Sequence, residues 1–340
     1  LAAPAAADEI PIRAPESTPA KELSEGVVVS DEMVDIAAWE PGTVMLAVSR
    51  KRIYLFSLPD FRKLAAGKIR GEALACGILR ESTPDRILFF VVSQYARDVN
   101  TSFYEFVSGK INRVGYDSSA FYRVLDGRLL RQSVGIASPL GGPVSVTVAD
   151  PAFRSDPRSA GTLALPKNTA LYSFTHAAFW TGGMIGVARI DDDNRHLNVY
   201  RQESDGWDAV WESEEAYGGS LTRIRSGPEE ATLRFWEVSK GIAAANLDAD
   251  PEMEILAASN RESSAAAQLL GRRYDRAQVR ALDLRGRRAV TLWETDLLKG
   301  TIPNIAIWRD SLIIPVVEAG GKKTRIYINS IANPVTPNDR

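Results

Sequence analysis

The chain has 340 residues, of which 45% are hydrophobic and 25% charged, and its formal net charge is −2. That much apolar material can fill a sizeable core, while a near-neutral balance excludes the dense basic face that nucleic-acid binding needs. A single cysteine, Cys76, closes no internal disulfide, and two histidines, His176 and His196, are too few for a zinc cluster.

The first residues, Leu1-Ala2-Ala3-Pro4-Ala5-Ala6-Ala7, place Ala5 and Ala7 at the −3 and −1 positions of an Ala-x-Ala processing site before Asp8. Residues 1–20 are therefore expected to be a signal-peptide remnant and flexible lead-in, and the protein to be exported to the periplasm or outer envelope. No run approaches the roughly 18 apolar residues of a membrane span. From residue 21 the pattern is short apolar runs broken by Gly, Asp, Asn and Pro, which predicts strands. Thr43–Val48 and Arg52–Phe56 form one such pair, and Arg86–Val92 and Ser102–Val107 another. The one helical candidate, Glu262 to Arg273, reads as an inserted loop with a helical turn.

The strand pairs recur in units at about 33–66, 72–117, 119–166, 172–216, 235–296 and 301–331. The third strands are the most alike, among them Ile53-Tyr54-Leu55-Phe56, Phe103-Tyr104-Glu105-Phe106 and Leu197-Asn198-Val199-Tyr200. Two fourth strands carry a shared Trp-Glu pair, Trp211-Glu212 and Trp293-Glu294. Four strands in about 45 to 55 residues is the size of a propeller blade. The prediction is an all-β protein, a β-propeller of six four-stranded blades over a single domain at 21–331, with 332–340 as a tail. Seven blades is the alternative count, and a pair of β-sandwiches the rival architecture. The last unit lacks a fourth strand, and the apolar run within 21–30 is expected to supply it and close the ring.

The segment Asn246-Leu247-Asp248-Ala249-Asp250-Pro251-Glu252-Met253-Glu254 alternates oxygen-bearing side chains and then turns apolar. It resembles the Asp-x-Asp-Gly-Asp-Gly-x-x-Glu turn of FG-GAP (VCBS, integrin-type) repeats. That resemblance implies a propeller, and Leu129-Leu130-Arg131-Gln132-Ser133, Leu165-Pro166-Lys167-Asn168 and Tyr217-Gly218-Gly219-Ser220 are similar to a group of bacterial exported proteins with divergent repeats of this type, which implies export. The turn resemblance also implies calcium held by Asn246, Asp248, Asp250 and Glu254, with the Glu252 carbonyl as a further ligand. Ala249 and Pro251 stand where the family has glycines. A metal-free turn that keeps Asp, Asn and Pro for their turn chemistry is the alternative.

No catalytic constellation is legible. His176 sits in an apolar strand and His196 at a hairpin end, no Gly-x-Ser-x-Gly turn occurs, and Gly141-Gly142 and Gly218-Gly219 read as turns. Asp191-Asp192-Asp193-Asn194-Arg195 reads as a solvated hairpin turn. Trp39, Trp236 and Trp308 lie near first strands, and Trp207 is the tryptophan expected to be exposed. The functional expectation is a non-catalytic binding or scaffold protein that meets a protein partner of the cell envelope through the insertions at 150–161, 221–234 and 259–278. A glycan-binding adhesin and a hydrolase or lyase with a site in the propeller channel are the alternatives.

Overall fold

The computed structural model describes residues 20, 21, 23–135, 138–150, 155–226, 234–248, 250–264 and 274–331. Strands are numbered in chain order. Two precede the first blade, β1 (Ala20–Lys21) and β2 (Ser24–Val29). Blade 1 is β3 (Met33–Trp39), β4 (Val44–Ser49), β5 (Arg52–Ser57) and β6 (Lys63–Lys68). Blade 2 is β7 (Glu72–Ile78), β8 (Arg86–Tyr95), β9 (Asp98–Val107) and β10 (Lys110–Ser118). Blade 3 is β11 (Ala120–Leu125), β12 (Arg128–Ser133), β13 (Val144–Val148) and β14 (Arg158–Thr162). Blade 4 is β15 (Phe174–Trp180), β16 (Met184–Ile190), β17 (His196–Glu203) and β18 (Gly206–Ala216). A separate two-stranded hairpin follows, β19 (Arg223–Ser226) and β20 (Arg234–Glu237). Blade 5 is β21 (Ile242–Ala245), β22 (Glu254–Glu262), β23 (Tyr274–Arg285) and β24 (Arg288–Thr295), with β25 (Leu298–Lys299) beside β23. Blade 6 takes β26 (Ala306–Trp308), β27 (Ser311–Val317) and β28 (Thr324–Ser330) from the end of the chain.

Each blade is an antiparallel meander, and the first strands neighbour one another around the ring: β26 with β3, β3 with β7, β7 with β11, β15 with β21 and β21 with β26. The core lies between blades. Leu46, Ile53 and Leu55 of blade 1 pack with Ile78, Phe89 and Val91 of blade 2. Trp293 of blade 5, only 2% exposed, packs with Ile302, Ile305 and Ile314 of blade 6. Apolar side chains on both faces of a blade are therefore covered, and burial of each large one contributes about 2–3 kcal/mol.

The N-terminal strand closes the ring as expected. β2 runs antiparallel to β28, with Ser24 opposite Ile328 and Val29 opposite Thr324. Thr324 Oγ1 donates to the Asp31 carbonyl at 2.7 Å and accepts the Met33 N–H at 3.0 Å. A second tie was not foreseen. β1 pairs in parallel with β24, and Lys21 Nζ lies 4.7 Å from the Trp293 ring centre.

The count is six blades, as expected. The structure corrects three other readings. The insertion at 221–234 contributes β19 and β20, so the fifth blade opens at Ile242 and Trp236 belongs to that hairpin, not to a first strand. Residues 259–262 and 274–278 extend β22 and β23 instead of forming a loop. Trp207 is half-buried against the core of blades 2 to 4. The helical turn expected at 262–273 falls mostly outside the described residues. No helix among the described residues is long and apolar enough to cross a membrane.

Candidate binding face

The six first strands line the ring's axis, and what they place there is packed and paired. Asp35 of β3 is 3% exposed and Lys240, just before β21, is also 3% exposed, with Nζ 3.4 Å from the carboxylate. Asp35 accepts from the Ile36 N–H at 3.0 Å, the Cys76 N–H at 2.9 Å and Asn304 Nδ2 at 2.6 Å. Lys240 also donates to the Val34 and Leu74 carbonyls and lies over the Tyr172 ring. Arg123 of β11 donates to the Leu171 and Phe174 carbonyls. Burial lowers the Lys240 pKa against the pull of Asp35, and raises the Cys76 thiol well above its ordinary range. A chain of charges this enclosed holds blades together, since the Cys76 N–H, Lys240 and Arg123 each find an acceptor on another blade. His176 of β15 is half-buried beside Asp126. Burial lowers its pKa, and Asp126 opposes that shift.

The hairpin β19–β20 covers one mouth of the axis. It leaves blade 4, returns to blade 5, and yet grips blade 2: Gln94 Nε2 donates to the Arg225 carbonyl and Gln94 Oε1 accepts the Arg225 N–H, both at 2.8 Å. Ile224 and Val238 are buried in the same cluster as Leu74, Leu171 and Tyr172. Glu237 holds the base of the hairpin, accepting from the Ser220 N–H at 2.8 Å and the Tyr274 hydroxyl at 2.7 Å. Asn260 bonds the Gly218, Gly219 and Ile302 carbonyls and the Ile302 N–H, tying the hairpin's lead-in to blade 6.

Two clefts flank the hairpin. The first, about 450 Å³, lies between it and blades 1 and 2. Its floor includes Met33, Val34 and Leu74, its rim the exposed aromatics Tyr95 and Phe235. Arg50 pairs with Glu32 at 2.8 Å, and Arg225 with Glu72 at 3.4 Å. Lys51 and Arg223 bring the lining to four cations against two carboxylates. The second cleft, about 390 Å³, lies between the hairpin and the turns of blades 3 and 4, and is lined by Leu140, Asp192, Asp193, Arg223, Trp236 and Glu237 among others.

The turn singled out in the sequence sits at the opposite end of the ring, where β21 passes to β22. It brings oxygens of Asp248, Asp250 and Glu254 within 4.8 Å of one another. Glu254 is 1% exposed and accepts the Leu247 N–H at 2.6 Å, and burial, reinforced by Asp248 and Asp250, raises its pKa to about 7. The Glu252 N–H donates to Asp250 at 2.9 Å, and the Asn246 amide donates to the Asp250 carbonyl. The Asp191–Arg195 segment is a hairpin turn as read, Asp191 accepting the Asp193 and Asn194 N–H groups. The cleft residues Arg50, Lys51, Tyr95 and Arg225 escaped the sequence reading, because four separate turns supply them and no local spacing joins them.

No known family profile matches this chain, and no curated protein sequence matches it. Solved structures of similar shape include a glucose dehydrogenase, 12% identical, covering 91% of this chain and 99% of that one at a TM-score of 0.49. The soluble aldose sugar dehydrogenase of Escherichia coli is 12% identical over 91% and 99%, at 0.48. The Myceliophteria thermophila Cps50 (Swd1) β-propeller domain is 8% identical over 86% and 82%, at 0.44. The blade count rests on the strand pairing of this chain itself.

Proposed function

We propose that the protein is a non-catalytic, exported binding or scaffold protein that meets a protein partner of the cell envelope through its hairpin face. The observation that carries this reading is the hairpin laid across the axis. It packs Ile224 and Val238 on the inner residues Leu74, Leu171 and Tyr172, and it exposes aromatic and cationic side chains on the surface it creates. The first cleft has the composition of an interface centre, with Tyr95 and Phe235 as aromatic anchors among arginines. A glycan-binding reading has less support, since Trp207 packs on the core. The 246–254 turn is structural first, with Asp248, Asp250 and Glu254 as the residues that would hold calcium and tie the turn more tightly.

Capture from a native envelope extract tests the reading. Wild-type protein should retain a partner, and Tyr95→Ala combined with Arg223→Ala should lose it at least tenfold with an unchanged melting temperature. Equal capture by both proteins, or turnover of a glycan or ester panel by the wild type, would overturn it.

A further inference from the structure

The alternation of hydrogen bonds in the hairpin identifies a backbone edge that has no strand beside it. Arg225 gives its N–H and C=O to the Gln94 side chain, on the outer side of β19. Phe235 is its cross-strand partner. Directly opposed residues in an antiparallel pair face alike, both inward or both outward. Phe235 therefore turns its N–H and C=O to the outer side of β20, away from β19. The Val238 N–H donates to the Thr222 carbonyl at 3.0 Å, an inward pair three residues on, as this alternation requires. Among the described residues no strand other than β19 pairs with β20.

The second cleft runs beside that edge. Leu140 and Trp236 give it apolar walls, and Asp192, Asp193 and Glu237 give it three carboxylates against the single cation Arg223. Asp192 and Asp193 form no ion pair among the described residues, whereas Asp191 is matched with Arg189. The cleft thus suits a long basic side chain, whose apolar stem lies on Leu140 and Trp236 while its charge meets Asp193 and Asp192. Burial and the adjacent Asp191 raise the Asp192 pKa to about 7, and an incoming cation would ionise that carboxyl. Phe235, 56% exposed, offers a ring to the other face of an incoming strand.

Building on the reading of this face as a docking surface, we propose that the outer edge of β20 takes up an extended peptide segment by strand addition, with a lysine or arginine placed in the second cleft. Backbone pairing supplies the attachment, and alternate side chains supply the choice of sequence. A residue paired with Phe235 points its side chain to solvent, so the basic residue is its immediate neighbour in the peptide.

Fluorescence anisotropy with an end-blocked, labelled heptapeptide of alternating valine and threonine around a central lysine tests this. Two further peptides carry N-methyl groups on alternate amides, one in each register. One register should lose binding at least tenfold and the other should bind as the parent does. Phe235→Ala should weaken binding a few-fold. Phe235→Pro, which also removes the outward N–H, should abolish it. Asp192→Asn with Asp193→Asn should weaken the lysine peptide at least fivefold, and a norleucine analogue should bind the two proteins equally. Equal binding of both methylated registers, or no effect of the aspartate changes on the lysine peptide, would overturn the proposal, even if Phe235→Pro fails to fold. A protein that captures its envelope partner but ignores the peptides refutes strand addition and leaves the docking face standing.

Discussion

Glu254 shows how one side chain couples packing to pH. Its carboxyl is buried beside Asp248 and Asp250, and burial raises its pKa from 4.5 to about 7. Below about pH 4.5 the folded and unfolded chains both hold the proton and the group costs nothing. As pH rises, the unfolded chain releases it while the fold retains it, so stability falls until pH passes about 7. Glu254→Gln keeps an acceptor for the Leu247 N–H and removes the ionisation. The variant should be more stable than wild type at pH 7.5, by roughly 1–3 kcal/mol, and equal to it at pH 4; urea unfolding at both values measures this. A difference that does not change with pH would show that another group titrates. Millimolar calcium should shift the melting temperature little, because Ala249 and Pro251 replace the two glycines of the turn it resembles. A rise of several degrees that Asp248→Ala abolishes would assign a calcium site there. At the ring's axis the arithmetic differs. Lys240→Met leaves the Asp35 charge buried without its cation, and should cost roughly 3–5 kcal/mol in equilibrium unfolding. A loss below 1 kcal/mol would mean that the three hydrogen bonds to Asp35 suffice alone.

At the scale of elements, the strands were legible because apolar runs of five to seven residues bounded by Gly, Asp and Asn have few other ways to bury themselves. All six units were placed within a few residues of the blades, except the fifth. There the sequence predicts a loop over 221–234 and a blade opening at 235, since the four-residue strands Arg223–Ser226 and Arg234–Glu237 are rich in arginine and carry only Ile224, Phe235 and Trp236 to signal burial. The candidate site was much less legible. Gln94, which fixes the hairpin, is 131 residues from Arg225, and no spacing rule spans that distance. The turn at 246–254 is legible as chemistry, and the carboxylates of Asp248, Asp250 and Glu254 do converge. The hairpin's hold on blade 2 yields a direct expectation. Gln94→Ala removes both bonds to Arg225 and should loosen the hairpin without unfolding the ring, seen as faster amide exchange at Ile224 and Arg225 with a melting temperature lowered by no more than a few degrees. Unfolding of the whole protein would mean that the hairpin is part of the ring's cooperative unit.

For the whole molecule, the closure by β2 makes the ring's integrity depend on residues that precede the first blade. Deleting 1–30 removes β1 and β2 and bares the β28 edge, a loss of several kcal/mol, whereas deleting 1–18 should leave the melting temperature unchanged. Equal melting of the two truncations would refute the closure. The same pairing sets an order of events during synthesis. Ser24 is made long before its partner Ile328, so a growing chain can assemble its middle blades one after another while its leading strand waits without a mate. Until residue 330 is available the circle is an arc with two open ends. A ribosome stalled within the last blade, before β28 is made, therefore holds a sticky intermediate, and the arrival of β28 decides whether it becomes a closed ring or a seed for aggregation.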